Sequence, residues 1–298
     1  MRAVIATDLS DAMDTAIESR VCLECLARYG IDAIDLITVT SPNVTTGMPG
    51  SDVGSRTKRA LERQERTLEA EGFDVDVHVV RGTPHRRING LAERVHADLV
   101  IAGSRGQSPL QERFIGGTAR DLVRTTVRPL LLERIRRETP EEHHDGTRDP
   151  GADDVEYEVA HEHLFRRVLY ATDFSENAER AFEQFRNLKH ATQEATLLHV
   201  TPPDRRADAD AIADAEARLE ALADELREKG IDEVTTMVRS GETTAEILAA
   251  EQEVKPTTVL LGSRGRSRIR RLLVGSTTEA IARRSNCNVL IVPPSGTR

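Results

Sequence analysis

The chain repeats itself. Val4-Ile5-Ala6-Thr7-Asp8-Leu9-Ser10 returns as Leu169-Tyr170-Ala171-Thr172-Asp173-Phe174-Ser175, and Leu36–Val39 returns as Thr196-Leu197-Leu198-His199-Val200. A glycine pair with a later helix-opening glycine also occurs twice. Gly103-Ser104-Arg105-Gly106 precedes Gly116-Gly117-Thr118, and Gly262-Ser263-Arg264-Gly265 precedes Gly275-Ser276-Thr277. Self-similarity over such long stretches means two copies of one folding unit, and 298 residues is a length that suits two domains. Asp8 to Gly103 spans six residues more than Asp173 to Gly262, and the surplus is placed in the loop at 40–54.

Within each copy, apolar runs alternate with amphipathic segments. Residues 2–7 read as a strand, and Ser10 as the N-cap of a helix that runs to Tyr29 and is stopped by Gly30. Ala33–Val39 is a second strand. After the Ser-, Pro- and Gly-rich loop come a charged helix from about Ser55 to Glu71 and a strand at Asp74–Val80. A helix then reaches about His96, Asp98–Ala102 is the strand feeding the glycines, Thr118–Thr126 is helical, and Pro129–Glu133 is the closing strand. From Arg166 the series starts again and closes on Val289–Val292. Strands alternating with helices predict parallel sheets covered on both faces, here two five-stranded α/β domains of order 3-2-1-4-5. The predicted boundaries are 1–136 and 164–298. Residues 137–163, with Pro140, Gly146, Pro150, Gly151 and acidic clusters, read as a mobile acidic linker.

Composition excludes several classes. A formal net charge of −9 argues against a nucleic-acid partner, which needs a basic footprint. No apolar run approaches the roughly 20 residues that span a bilayer. The N-terminus enters a strand directly and lacks a signal-peptide pattern, so the expected location is cytoplasmic, with no membrane partner. Three cysteines build no disulfide framework. Cys22 and Cys25 form a CxxC inside an apolar-periodic helix, and with no second pair the reading is two packed thiols rather than a zinc site. His143, His144, His161 and His163 fall on the linker, where fixed ligand geometry is not expected, so no metal site is assigned.

Chemistry concentrates at the glycines. Closely spaced glycines let backbone N–H groups approach a ligand without a Cβ between them. A helix that opens just beyond adds unpaired N–H donors and the positive end of its dipole, which suits phosphate. In a doubly wound sheet, ligands bind at the switch point outside the carboxyl ends of the strands. That point brings Asp173 beside Gly262, and Asp8 beside Gly103. Either aspartate can meet a ribose or base edge; either can equally cap its own loop, and the repeat fits both readings. Arg264, Arg266, Arg268, Arg270 and Arg271 add charge suited to a polyphosphate, or simply a solvated basic loop. Neither copy has the lysine of a P-loop, and no Ser-His-Asp spacing stands out, so binding is better supported than catalysis.

Gly-x2-Gly-x9-Gly-Ser after an apolar strand, with an earlier strand ending Tyr-Ala-Thr-Asp-Phe-Ser, resembles the universal stress protein family. The chain is similar to a tandem member, with both halves covered and the linker spared. The resemblance implies Rossmann-like, adenine nucleotide alpha hydrolase-like domains, one branch of the family binding ATP through this motif. It implies that Asp173 lies near the ribose or adenine, that the Val200 backbone faces the adenine, and that Leu261 flanks the base. Gly262, Arg264, Gly265, Gly275, Ser276 and Thr277 would surround the phosphates. In the first copy Asp8, Val39, Gly103, Arg105, Gly106, Gly116, Gly117 and Thr118 hold the corresponding places. There Gly117 replaces the serine, and Ala102 is smaller than Leu261, so this copy reads as degraded or retuned. It also implies an internal pseudo-dimer in which the two closing strands pair.

The functional expectation is a stress-response protein binding ATP, AMP or ADP mainly in its second domain as a regulatory or sensing ligand, with Mg as a candidate accompanying ion and protein partners of unknown kind. Two other readings stand beside it: a nucleotide-independent interaction scaffold, and a slow ATPase.

Overall fold

The computed structural model describes residues 1–40, 53–104, 115–137, 157–161, 163–201, 209–265 and 274–294. The first half runs β1 (Arg2–Thr7), α1 (Asp11–Glu18), α2 (Arg20–Tyr29), β2 (Ala33–Thr40), α3 (Val53–Ala70), β3 (Asp74–Arg81), α4 (Pro84–Arg94), β4 (Leu99–Gly103), α5 (Gly117–Thr125) and β5 (Leu130–Glu133). Two short strands follow, β6 (Ile135–Arg137) and β7 (Tyr157–Val159). The second half runs β8 (Arg167–Thr172), α6 (Glu176–Phe182), α7 (Phe185–Leu188), β9 (Glu194–Thr201), α8 (Ala209–Glu228), β10 (Glu233–Ser240), α9 (Thr243–Val254), β11 (Thr258–Gly262), α10 (Ser276–Arg284) and β12 (Asn288–Val292).

Among the described residues, ten strands form one sheet of order β10-β9-β8-β11-β12-β5-β4-β1-β2-β3. Each half contributes five parallel strands in the order 3-2-1-4-5. The halves meet where β12 pairs antiparallel with β5. Leu131 faces Leu290, with Leu130 facing Ile291 and Leu132 facing Val289, so a local two-fold passes between the two central leucines. All six of these side chains are fully buried. Strands inside a parallel sheet covered on both faces must be apolar on both, which is why β4, β5, β11 and β12 read as unbroken Leu, Ile and Val runs. The outermost β3 alternates exposed and partly buried residues instead. One face of the sheet carries α1, α2, α3 and their counterparts, packed in a cluster that includes Ile17, Leu26, Leu68, Phe182, Phe185 and Leu219. The other carries α4, α5, α9 and α10 over Ile88, Leu122, Ile247 and Ile281.

The segment from Ser10 to Tyr29, predicted as one helix, is two. Ser19 sits at φ −72°, ψ 94°, outside helical space, and its side chain accepts from the Cys22 N–H, so α1 ends and α2 begins on the same residue. Gly30 closes α2 at φ 102°, a left-handed value natural to glycine, and Ile31 N–H donates to Leu26 O at 3.0 Å. The linker stretch is also not structureless at its described ends. β6 and β7 pair antiparallel, Ile135 facing Val159 and Arg137 facing Tyr157. The 40–54 loop from 41 to 52, and His143 and His144, lie outside the described residues.

Arg134 ties the halves together beside the β5–β12 junction. Its N–H donates to Asn288 Oδ1 at 2.8 Å, and its guanidinium donates to Cys287 O and Ala282 O. Cys22, Cys25 and Cys287 are buried free thiols. Burial pushes all three thiols up from their ordinary pKa, Cys287 to about 12. Among the described residues no group of His, Cys, Asp and Glu is arranged to hold a metal, and no helix is long and apolar enough to cross a membrane.

Candidate functional site

The repeated Thr-Asp-Xaa-Ser makes the same two turns in both halves. Thr7 Oγ1 accepts from Leu9 N–H at 3.0 Å, and Asp8 Oδ1 accepts from Ser10 N–H at 3.1 Å and Ser10 Oγ–H at 2.6 Å. In the second half Thr172 Oγ1 accepts from Phe174 N–H at 2.9 Å and Asp173 Oδ1 from Ser175 N–H at 3.0 Å. Each serine then caps the following helix through Met13 N–H or Ala178 N–H. The cost is a non-glycine residue in left-handed backbone, Leu9 at φ 59° and Phe174 at φ 56°. One oxygen of each aspartate therefore does hold its own loop, as the capping reading requires, and the turn fixes the carboxyl at the strand end.

The glycine loops share the same backbone anchors. Ser104 N–H donates to Glu133 O at 2.8 Å and Gly116 N–H to Ser104 O at 2.9 Å; the matching pairs in the second half are Ser263 to Val292 and Gly275 to Ser263, both 2.8 Å. Gly116 and Gly275 are the N-caps of α5 and α10, at φ −59° and −60°, and among the described residues neither helix has a side-chain cap. The first-turn N–H groups of both helices are thus left for something other than a capping side chain.

In the first half these parts enclose a cleft of about 150 Å³. Asp8, Gly103, Gly116, Gly117 and Thr118 form its polar end, and Ile37, Val39, Ile88 and Ala102 form its apolar wall. Six of the eight first-half residues singled out from the sequence come together there. Arg105 and Gly106 lie outside the described residues. The sequence reading missed the contribution of α4, whose Pro84 and Ile88 wall the cleft. Ala102, one ground for reading this copy as degraded or retuned, lines the cleft at the position that Leu261 holds in the other half.

In the second half Val200 and Leu261 are buried on the same face, in the cluster that includes α9 and α10. Asp173 Oδ2 lies 2.6 Å from where a Cβ on Gly265 would stand. Asn177 Nδ2 donates to Arg264 O at 3.0 Å, and a Cβ on Gly262 would meet Asn177 O at 2.8 Å. Thr278 Oγ1 donates to Gly262 O at 2.9 Å. The structure thus brings Asp173, Gly262, Arg264, Gly265 and Gly275 to one strand-end loop, with Ser276 and Thr277 opening the helix beside it. Asn177 was not anticipated as the loop's clamp; the first half has Ala12 at that position, so the repeat itself carried the signal. Arg266, Arg268, Arg270 and Arg271 lie outside the described residues.

One acidic group sits beneath the first loop. Glu133, whose carbonyl holds Ser104, is 5% exposed, and its Oε1 has no hydrogen-bond partner among the described residues. Burial pushes its carboxyl up to about 7, with a hydrogen bond from Cys22 working weakly in the other direction.

A doubly wound half, built twice, with a carboxylate and a glycine loop at each switch point, defines a tandem α/β fold. The family model described as "Universal stress protein family" matches residues 1–134 and 164–293, and the chain belongs to that family, carrying its domain twice. It is 32% identical over 75 residues to Universal stress protein MJ0577 of Methanocaldococcus jannaschii, 25% of this chain and 46% of that protein. It is 27% identical over 77 residues to Stress response protein NhaX of Bacillus subtilis, 26% of this chain and 46% of that one. The matches thus span less than half the length of either relative. A solved universal stress protein from Archaeoglobus fulgidus shares the fold over the whole chain, with a TM-score of 0.73, 24% identity, and 99% and 98% of the two chains covered.

Proposed function

We propose that this chain binds ATP or a related adenine nucleotide, with or without Mg, as a regulatory ligand in a stress response, and that its halves, 1–136 and 164–298, form an internal pseudo-dimer across β5 and β12. The observation that carries the reading is the first-half cleft. It has an apolar wall suited to a base, a carboxylate at the strand end for a ribose, and uncapped helix N–H groups for phosphate. The second half repeats the turn, the loop and the helix start, and adds Ser276 and Thr277. Its site was expected to dominate; the cleft argues for the first half as a working site as well.

Calorimetry with ATP tests this. Ala102→Leu fills the first cleft with the side chain that the second half already accommodates at Leu261. Gly275→Asp places a favourable N-cap over α10 whose carboxylate occupies the first-turn N–H groups and repels phosphate. The wild type is expected to bind two nucleotides, and each variant to lose one, by more than about tenfold in Kd. No heat from the wild type at millimolar ATP removes the proposal.

A specific observation favours the scaffold reading for part of the motif. Gly262 is explained by the approach of Asn177, without any ligand. If Gly275→Asp leaves partner capture unchanged in a chain that binds ATP, the scaffold reading gains that ground.

A further inference from the structure

The local two-fold at Leu131 and Leu290 lays α5 against α10 in opposite directions, so the last turn of one helix meets the first turn of the other. The contact is direct on one side: Arg124 Nη2, in the last turn of α5, donates to Glu279 Oε1, in the first turn of α10, at 2.5 Å. Matching Gly117 to Ser276 makes Arg124 the counterpart of Arg283 and Glu279 the counterpart of Arg120. The axis that sets position 124 against position 279 therefore sets position 283 against position 120. On the second-half side this junction is an acid and a base. By that symmetry the corresponding positions on the first-half side, beside the open cleft, are Arg120 and Arg283, both exposed.

Two guanidinium groups set against each other repel, and the repulsion is relieved by an anion between them. The nearest carboxylate on α5 is only a weak substitute. Asp121 Oδ1 is 4.0 Å from Arg120 Nε, and Asp121 Oδ2 is already shared with His85 Nδ1 at 3.4 Å. Arg120 lies one residue beyond Ala119 and two beyond Thr118, both of which line the cleft.

Resting on the nucleotide reading above, we infer that Arg120 and Arg283, one from each half, form the charge-selecting rim of the first-half site, so that it takes a nucleoside triphosphate in preference to the monophosphate. The second-half site, where Glu279 replaces one of these cations and Arg124 neutralises it, discriminates less. Each half thus supplies a residue to the other's site, and the first cleft is complete only in the paired chain.

The experiment uses the full chain carrying Gly275→Asp, so that the signal comes from the first half, and compares ATP with AMP by calorimetry before and after Arg120→Gln, Arg283→Gln and the double change. The expected result is a fall in ATP affinity of about tenfold per arginine, the size of one charge-assisted hydrogen bond, with AMP affinity falling by no more than about threefold. The preference for ATP should also weaken as salt is raised. Equal losses for both nucleotides mean that the arginines serve only the junction, and overturn the inference, as does an unchanged ratio. If the wild type binds ATP but the Gly275→Asp parent does not, the only site is in the second half and this inference alone falls. Binding of neither nucleotide by the wild type overturns the parent reading as well.

Discussion

Glu133→Gln is expected to remove a component of the pH dependence of stability that amounts to about 3 kcal/mol between pH 4.5 and 8. Glu133 is buried at the end of β5, and its carboxyl is pushed from 4.5 up to about 7 by desolvation. A carboxyl with a raised pKa is more easily kept neutral in the fold than in the unfolded chain. Between the two values the native state holds the proton and the unfolded state has lost it, so stability falls as pH rises through this window. The fall begins near the unfolded pKa and is complete a little above 7. Above it the fold must either carry a buried carboxylate with the Cys22 thiol as its hydrogen-bond donor among the described residues or open to hydrate it. Urea unfolding of the wild type and Glu133→Gln at intervals from pH 4.5 to 8 measures this directly. The gap between the two should shift in favour of the variant by about 3 kcal/mol across the series, other titrating groups being common to both. Parallel curves would show that Glu133 ionises in the fold without penalty. The second half offers a natural control, since Val292 takes the corresponding place and has nothing to titrate.

Glu133 also shows where reading the chain as letters stops. The strand was evident from Leu130-Leu131-Leu132, but a glutamate closing an apolar run reads as the point where a strand reaches water. It is buried because β5 is not an edge: β12 covers one side and the hairpin of β6 and β7 continues past its end. That hairpin was illegible for a related reason. Ile135–Arg137 and Tyr157–Val159 are three residues each, and their pairing is set by packing against α1 rather than by any pattern in themselves. The break at Ser19 is local chemistry overriding periodicity, since apolar residues continue at helical spacing on both sides while a serine cap redirects the axis. By contrast the sheet order and the placing of Asp8, Asp173 and the glycines followed from the repeat, because alternating apolar strands and amphipathic helices leave few ways to close a parallel sheet. The walls of the cleft were only half legible. Ile88 and Pro84 come from α4, distant in sequence, and the value of a small residue at Ala102 depends on what surrounds it.

The glycines of the second loop look alike in sequence, yet Gly262→Ala and Gly265→Ala are expected to have opposite consequences. At Gly262 a Cβ would stand 2.8 Å from Asn177 O and 3.0 Å from Asn177 C, both backbone atoms in the first turn of α6. A helix backbone cannot swing aside as a side chain can, so α6 must shift away from β11, or β11 must bend. Overpacking of this kind costs about 1–3 kcal/mol, and the shift would also strain the Asn177 bond to Arg264 O. At Gly265 the added Cβ would meet, among the described residues, the Asp173 carboxyl, Oδ2 at 2.6 Å and Cγ at 3.6 Å. Oδ2 is the end of a side chain, and Gly265 is exposed, so a small turn of the carboxyl that keeps its Oδ1 bond to Ser175 N–H relieves the contact for about 0.5 kcal/mol or less. Stability should therefore fall in Gly262→Ala and hold in Gly265→Ala, as read by thermal unfolding. Nucleotide affinity in the second half should be lost in Gly265→Ala, because the carboxyl that would meet the ribose has been turned from its place. If both variants unfold at the wild-type temperature, the close approach of α6 to β11 is not what requires glycine at 262. If Gly265→Ala binds ATP as the wild type does, Asp173 has no part in holding the nucleotide, and its conserved geometry in the two halves belongs to the turn alone.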